Sequence, residues 1–336
     1  VLPDVDDLLD GARVVALPMR VRFRGVDVRE ALLVHGPHGW GEFSPFTEYD
    51  DTESARWLAA AVEAAWAEPV APQRLLVPIN ATVPAVEPAG VEAVLARFDG
   101  CRTAKVKVAE RGQSLADDVA RVGEVRRLMG PSARVRVDAN GGWSVDDAVR
   151  AIAALAPYDL EYAEQPCATL GELGELRRAL ARAGLDVLVA ADESIRKAED
   201  PLKVAASGSA DVVVVKVAPL RGVGPALEVA AACGLPVVVS SALDTSVGIA
   251  AGVALAASLP ELPFACGLGT VGLFVEDVAA QPLRPHRGQI DVATALVVRP
   301  DPDALDRLAA PADRTAWWLD RARRCHAVLV AEGGRP

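Results

Sequence analysis

From residue 75 onward the chain repeats one unit, a short apolar, β-branched run followed by a stretch rich in Ala, Leu and Arg. Eight such runs occur in order: LLVPINATV (75–83), TAKVKV (103–108), RVRVDAN (134–140), LEYAEQP (160–166), VLVAADES (187–194), DVVVVKV (211–217), PVVVSSA (236–242) and PFACGLGT (263–270). Helix candidates lie between them, at Gln113 to Leu128, Val145 to Leu155, Leu170 to Ala183 and Val223 to Ala232. Apolar strands alternating with amphipathic helices imply a parallel sheet covered by helices. Eight strands in about two hundred residues predict an α/β fold, a (β/α) barrel of the modified TIM type, whose site is built at the carboxyl ends of the strands.

The first 75 residues follow another pattern. Arg13 to Leu17, Arg20 to Phe23 and Arg29 to His35 read as antiparallel strands with the turn HGPHGWGE, and a helix follows from Thr52 to Ala67. The expected organisation is an α+β capping domain over residues 1–75 and a barrel over 76–294. A tail, 295–336, ends in a helix from Ala312 to Ala331 that packs back on the cap. A chain of 336 residues, 51% hydrophobic, suffices for both domains.

Several function classes fall away on composition. A net charge of -11 repels phosphate backbones and anionic headgroups, so neither nucleic acid nor membrane is an expected partner. The best apolar stretch, Val247 to Leu259, is shorter than the ~20 residues of a spanning helix. The opening VLPDVDDLLDG is acidic where a signal peptide is basic, and a cytoplasmic location is expected. Cys101, Cys167, Cys233, Cys266 and Cys325 are scattered and form no CxxC pair, which suggests neither a disulfide framework nor a thiolate metal site. No histidine lies between His38 and His286, so the central region holds no Ser-His-Asp triad or histidine-bound zinc unless a terminal segment supplies the ring. The expected partner is a small carboxylate substrate; the sequence leaves monomer or homo-oligomer open.

The chemistry lies in the placement of lysines and acids. Of five lysines, Lys105, Lys107 and Lys216 stand inside apolar strand candidates, although lysine is rarely buried without a partner. Alternation along a strand puts Lys105 and Lys107 on one face ~7 Å apart, where two ammonium groups repel by roughly 2 kcal/mol, enough to lower one pKa. The competing reading has both lysines on the outer face, snorkelling to water. Asp138, Glu164 and Asp192 end successive runs, 26 and 28 residues apart, one βα unit each. A single such Asp reads as a helix N-cap. Three in register bring three carboxylates to one rim, which is tolerable only with a cation between them. An all-oxygen site without His or Cys favours Mg²⁺, with Mn²⁺ as a substitute. Lys216, 24 residues beyond Asp192, places a lysine on either side of that metal. Such a set suits proton removal beside a carboxylate. Asn140 shares a face with Asp138 and is a candidate for ligand support or substrate binding, against a plain turn role, while Glu193 is expected to point away. Small residues at the last two strand ends, Ser240, Ser241, Gly267 and Gly269, are expected to leave N–H groups open to a second substrate carboxylate, or simply to let helices pack closely.

The ordered set TAKVKV, RVDANGGW, EYAEQP, ADES and VVVKVAP resembles the muconate-lactonizing subgroup of the enolase superfamily. GWGEFSPFTEYDDTES resembles the "GxGExxP" turn of its capping domain, and INATV its first barrel strand. Within the subgroup the chain is most similar to the o-succinylbenzoate synthase family of actinobacteria, with its short cap, PMRVRFRG segment and CGLGT last strand. The resemblance implies magnesium-dependent dehydration of a hydroxycyclohexadiene carboxylate bearing a succinyl arm, in menaquinone synthesis. It implies Asp138, Glu164 and Asp192 as Mg²⁺ ligands, Lys107 as the base that also protonates the departing hydroxyl, Lys216 as an electrostatic stabiliser and Lys105 as the first lysine of the pair. Arg20, Arg22 and Phe23 are implied in a lid over the substrate.

Other readings stay open. An N-succinylamino acid racemase would use the two lysines as two bases. A dipeptide epimerase would carry Asp-x-Asp on the last strand, which CGLGT lacks, and a muconate cycloisomerase a longer cap. A metal-free Schiff-base lyase leaves the three acids unexplained, and a non-catalytic binding barrel leaves the whole set without a role.

Overall fold

The computed structural model describes residues 2–196, 204 and 206–333. The chain begins with helix α1 (Val5–Leu9) and a three-stranded antiparallel sheet, β1 (Arg13–Phe23), β2 (Val26–Gly36) and β3 (Gly39–Phe43), in the order β1-β2-β3. Two details differ from expectation. The first two strand candidates are one strand, which pairs with β2 from Arg13↔Leu33 to Pro18↔Val28 and then shifts register before Phe23↔Val26. Pro18, which has no N–H to donate, marks the last regular pair before the shift. The third strand lies inside the segment read as a turn, because Gly36 pairs with Gly39 and only Pro37 and His38 remain in the turn. The β1–β2 hairpin closes through Arg24 (φ 51°) and Gly25 (φ 75°), two left-handed residues that match the twist of the flanking strands.

Helix α2 (Asp51–Trp66) starts where the Asp50 carboxylate accepts from Glu53 N at 2.7 Å. Its Ala-rich face lies directly on β3: a Cβ added at Gly41 would stand 2.8 Å from the Ala61 carbonyl carbon.

The parallel sheet has seven strands: β5 (Ala81–Val83), β6 (Thr103–Lys107), β7 (Arg134–Asp138), β8 (Leu160–Glu164), β9 (Leu188–Ala191), β10 (Val212–Val215) and β11 (Val237–Val239), each paired with its neighbour in chain order. The run LLVPINATV is divided. Its first part, β4 (Leu76–Pro78), pairs antiparallel with β12 (Gln289–Asp291), and only Ala81–Val83 enters the parallel sheet. The last run, PFACGLGT, forms no full strand but contributes single parallel bridges, Ile79↔Cys266 and Ser240↔Gly267. Cys266 N donates to Pro78 O at 2.7 Å and Gly267 N to Val239 O at 2.8 Å, so this segment joins the two edges of the sheet and closes the barrel. Two glycines in it explain why pairing is no longer.

Helices α3 (Val91–Leu95), α4 (Leu115–Met129), α5 (Val145–Leu155), α6 (Leu170–Ala183), α7 (Glu193–Arg196), α8 (Val223–Cys233) and α9 (Ser246–Ser258) follow the strands. The start of α4 is set two residues later than expected, by a reciprocal cap between Ser114 and Asp117. Among these described residues no helix is long and apolar enough to cross a membrane.

Two devices fix the first sheet to the barrel and the tail to the first sheet. Glu42 on β3 accepts from Thr245 N and Gly248 N, both at 3.0 Å, and Glu63 on α2 accepts from Val223 N at 2.5 Å and Gly224 N at 2.8 Å. Two carboxylates thus cap the N-termini of α9 and α8, where unpaired N–H groups and the helix dipole favour negative charge. Helix α10 (Ala312–Ala331) lies along α2. Its buried Trp318 sits edge-on to Phe43 and donates to Glu30 at 2.9 Å, while buried Arg321 donates to Phe46 O, Tyr49 O and Ser54 Oγ at 3.0, 2.7 and 2.8 Å.

Gly41→Ala forces α2 off β3 by overpacking, and chemical denaturation is expected to show a loss of about 1–3 kcal/mol. An unchanged midpoint would contradict the close approach described.

Candidate active site

Five of the residues singled out by sequence end up on one rim because the strands are in register. Lys107 pairs with Asp138 and Asp138 with Glu164, the last residues of β6, β7 and β8, while Asp192 and Lys216 each follow the last residue of β9 and β10. Adjacent strands are about 4.8 Å apart, so the acids crowd. Asp138, Glu164 and Asp192 are 1%, 1% and 2% exposed.

Lysines run between them. Lys105 Nζ is 2.6 Å from Glu164 Oε1 and 3.4 Å from Asp138 Oδ2. Lys107 Nζ donates to Asp138 Oδ2 at 2.5 Å and to Asn140 Oδ1 at 2.6 Å, and Lys216 Nζ donates to Asp192 Oδ2 at 2.6 Å. All three lysines therefore face the acids rather than solvent on the outer wall. The Phe23 ring, from the tip of the β1–β2 hairpin, stands 5.2 Å from Lys107 Nζ.

These contacts decide the charges. Burial works against the Asp138 carboxylate, but Lys107 and Lys105 outweigh it and hold its pKa well below the ordinary range. At Glu164 burial wins: with Asp138 and Asp192 beside it, the carboxyl is pushed up to about 7 despite Lys105. Repulsion from a second lysine was expected to lower a pKa of the pair, and burial also works in that direction, but Glu164 and Asp138 raise that of Lys105 instead.

The donor set fits a hard divalent cation in its chemistry. All donors are carboxylate oxygens, and Glu164 Oε2 is buried with no hydrogen-bond partner among the described residues. As the side chains stand, turned onto the lysines, no three His, Cys, Asp or Glu groups among the described residues converge on one metal position.

Asn140 adopts φ 47°, donates its backbone N–H to Asp138 Oδ1 at 3.1 Å, and donates Nδ2 to Glu193 Oε1 at 3.2 Å. Glu193 does not point away as expected, because β9 ends at Ala191 and Glu193 opens helix α7, which turns its carboxylate back toward Asn140. The expectation of open N–H groups at the last strand ends also fails at three positions. Ser240 N, Ser241 N and Gly267 N donate to Val215 O, Gly267 O and Val239 O, the first extending the β10–β11 pairing and the other two closing the barrel. A Cβ on Gly267 would meet Ser240 Oγ at 2.5 Å, and one on Gly269 the Phe98 ring at 3.0 Å, so both glycines serve close packing. Arg20 is exposed and donates to Phe274 O and Val275 O, each at 2.8 Å.

Sequence reasoning passed over Gln165, fully buried beside Glu164. Its Oε1 accepts from Asp192 N at 2.9 Å and Ser194 N at 3.2 Å, and its Nε2 donates to Cys167 O and Ser194 Oγ at 2.9 and 2.8 Å. It ties the end of β8 to the turn that carries Asp192. The signal available was an amide between an apolar strand and a proline, which by itself names no role.

The family model described as enolase C-terminal domain-like matches residues 90–304, and the one described as enolase N-terminal domain-like matches residues 14–65. The chain is 59% identical over 329 residues to the o-succinylbenzoate synthase of Mycolicibacterium smegmatis, covering 98% of this chain and 99% of that protein. It is 58% identical over 335 residues to that of Mycobacterium tuberculosis strain H37Rv, covering 99% of each. Its fold superposes on muconate lactonizing enzyme from Pseudomonas fluorescens with a TM-score of 0.74 at 20% identity, covering 89% of this chain and 98% of the other. Members of this superfamily generally use a divalent metal.

Gln165→Leu keeps the volume of the side chain but strands two N–H donors and a carbonyl. Urea denaturation is expected to show a loss of about 2–4 kcal/mol; a loss under about 0.5 kcal/mol would mean that Gln165 does not hold this turn.

Proposed function

Since the chain belongs to the o-succinylbenzoate synthase family of the enolase superfamily, we propose that it converts 2-succinyl-6-hydroxy-2,4-cyclohexadiene-1-carboxylate to o-succinylbenzoate and water as a hydro-lyase of menaquinone synthesis, with Lys107 as its base. The observation that carries the assignment of roles is the rim itself: three buried carboxylates in register, flanked by Lys107 on one side and Lys216 on the other. Asp138, Glu164 and Asp192 would hold Mg²⁺, for which Mn²⁺ substitutes, and the ion when bound supplies Lewis-acid stabilisation of negative charge on the substrate carboxylate. The domain division that goes with this reading is a cap of residues 1–75 with the tail 295–336, and a barrel of 76–294.

The residues of the chain do the rest. Lys107 Nζ, as the free amine, takes the proton from the carbon bearing the carboxylate, and the electron pair of that bond stays on the substrate. The same Nζ, now an ammonium, gives a proton to the hydroxyl on the neighbouring carbon. The C–O bond breaks, water leaves and the ring becomes aromatic. One base serving both steps requires hydrogen and hydroxyl to leave from one face, a syn elimination. Lys216, held by Asp192, offsets the developing negative charge from the other side, where its field also reaches Asp138. Lys105 holds Glu164 and Asp138 in place. Phe23 lies over Lys107 and excludes water from the base. Ser240 and Ser241, through their hydroxyls, and Arg20 remain the proposed substrate contacts.

Loss of the diene absorbance follows the reaction. Lys107→Ala is expected to lower kcat by about 10²–10⁴ or more, with Mg²⁺ affinity retained; a variant keeping most of its activity would remove Lys107 from the role of base.

A further inference from the structure

The reading of Lys107 as the base leaves open what aims it. A lysine carries its amine on a flexible four-carbon stem, whereas proton transfer requires the lone pair to be held on the line of the C–H bond. Asp138 provides one contact to Nζ, at 2.5 Å. The second comes from Asn140 Oδ1, at 2.6 Å, and this oxygen is the only atom of the amide able to accept from an amine.

Asn140 is itself fixed at three points. Its backbone N–H reaches Asp138 Oδ1 at 3.1 Å, the next residue, Gly141, donates its N–H to Gln165 O at 2.7 Å, and Nδ2 reaches Glu193 Oε1 at 3.2 Å. Its φ of 47° lies in the left-handed region, which short polar residues and glycine tolerate and most side chains do not. Glu193 does not end a barrel strand with the three rim acids; it is the first residue of α7, behind Asp192.

We propose that Glu193 and Asn140 form a positioning relay for Lys107, in which the Glu193 carboxylate fixes the Asn140 amide and that amide sets the direction of the Lys107 amine. This rests on Lys107 being the base. A carboxylate accepting from Nδ2 polarises the amide and makes Oδ1 a stronger acceptor. In the first step Oδ1 takes one N–H of the neutral amine, so that the lone pair points at the substrate carbon. After the proton has moved, the same contact steadies the ammonium until it protonates the departing hydroxyl. Neither residue touches the reacting atoms, so both are positioning residues.

The test compares Asn140→Gly, which suits the left-handed backbone, with Asn140→Asp, Glu193→Gln and the double variant Asn140→Asp/Glu193→Gln. Measurements are kcat, KM, Mg²⁺ affinity by calorimetry and Tm, with Lys107→Ala in the same assay. Asn140→Gly is expected to lower kcat about 10- to 100-fold while KM and Mg²⁺ affinity stay within about threefold. Asn140→Asp sets a second carboxylate against Glu193 and lowers kcat comparably; in the double variant the Gln amide donates to the new carboxylate, and about tenfold of the loss returns. Retention of wild-type kcat by Asn140→Gly, or a double variant no better than Asn140→Asp, would overturn the relay while an inactive Lys107→Ala leaves the base in place. An active Lys107→Ala would instead overturn the base assignment on which the relay stands.

Discussion

Three carboxylates held almost out of water at the ends of adjacent strands are the constraint to which the rest of this structure answers. Left alone, such groups repel one another and lose their hydration, and proteins keep them only with cations close by. Lys105, Lys107 and Lys216 meet part of that demand. Glu164 shows the part not met: one of its oxygens has no partner among the described residues, and its carboxyl is pushed up to about 7 by burial and its neighbours. A divalent cation shared by Asp138, Glu164 and Asp192, as proposed, would resolve the conflict. The same ion would make a carbon acid beside a carboxylate acidic enough for a lysine.

Several parts of the fold hold that rim in place. Strand register places the acids, Gln165 ties the end of β8 to the turn bearing Asp192, and the last segment closes the barrel through single bridges rather than a full ladder. The first sheet is docked by Glu42 and Glu63, which meet the N-termini of two barrel helices, and its hairpin brings Phe23 over Lys107. The C-terminal helix then locks the first sheet through Trp318 and Arg321. Docking and the rim therefore share carboxylate contacts, to N–H groups in one and to ammonium groups in the other, while closure rests on backbone bridges.

The parts legible in the sequence were those with a period. Alternation along strands and the βα spacing located Lys107, Asp138, Glu164, Asp192 and Lys216, and the helices Leu170–Ala183, capped by Thr169, and Ala312–Ala331, preceded by Pro311, matched residue for residue. What escaped depends on geometry between segments distant in sequence. The N–H groups at Ser241 and Gly267 looked open because the bridges that consume them join β11 to the last segment across the closing seam, while that of Ser240 is taken by Val215 O at the end of β10. Glu193 was placed on the wrong side because strand alternation was carried two residues past the end of β9. One lysine of the pair Lys105 and Lys107 was expected to be lowered by the other, yet at Lys105 acids on the next two strands dominate. Gln165 has no periodic signal at all; only the turn it spans reveals its function.

The most direct test of the account is a calorimetric titration of Mg²⁺ into the chelator-stripped protein, wild type beside Glu164→Gln. Binding of one ion per chain by the wild type, weakened at least about tenfold by Glu164→Gln, is the predicted result; no binding by the folded wild type, or equal binding by the variant, would contradict the claim that the three buried carboxylates exist to hold a cation.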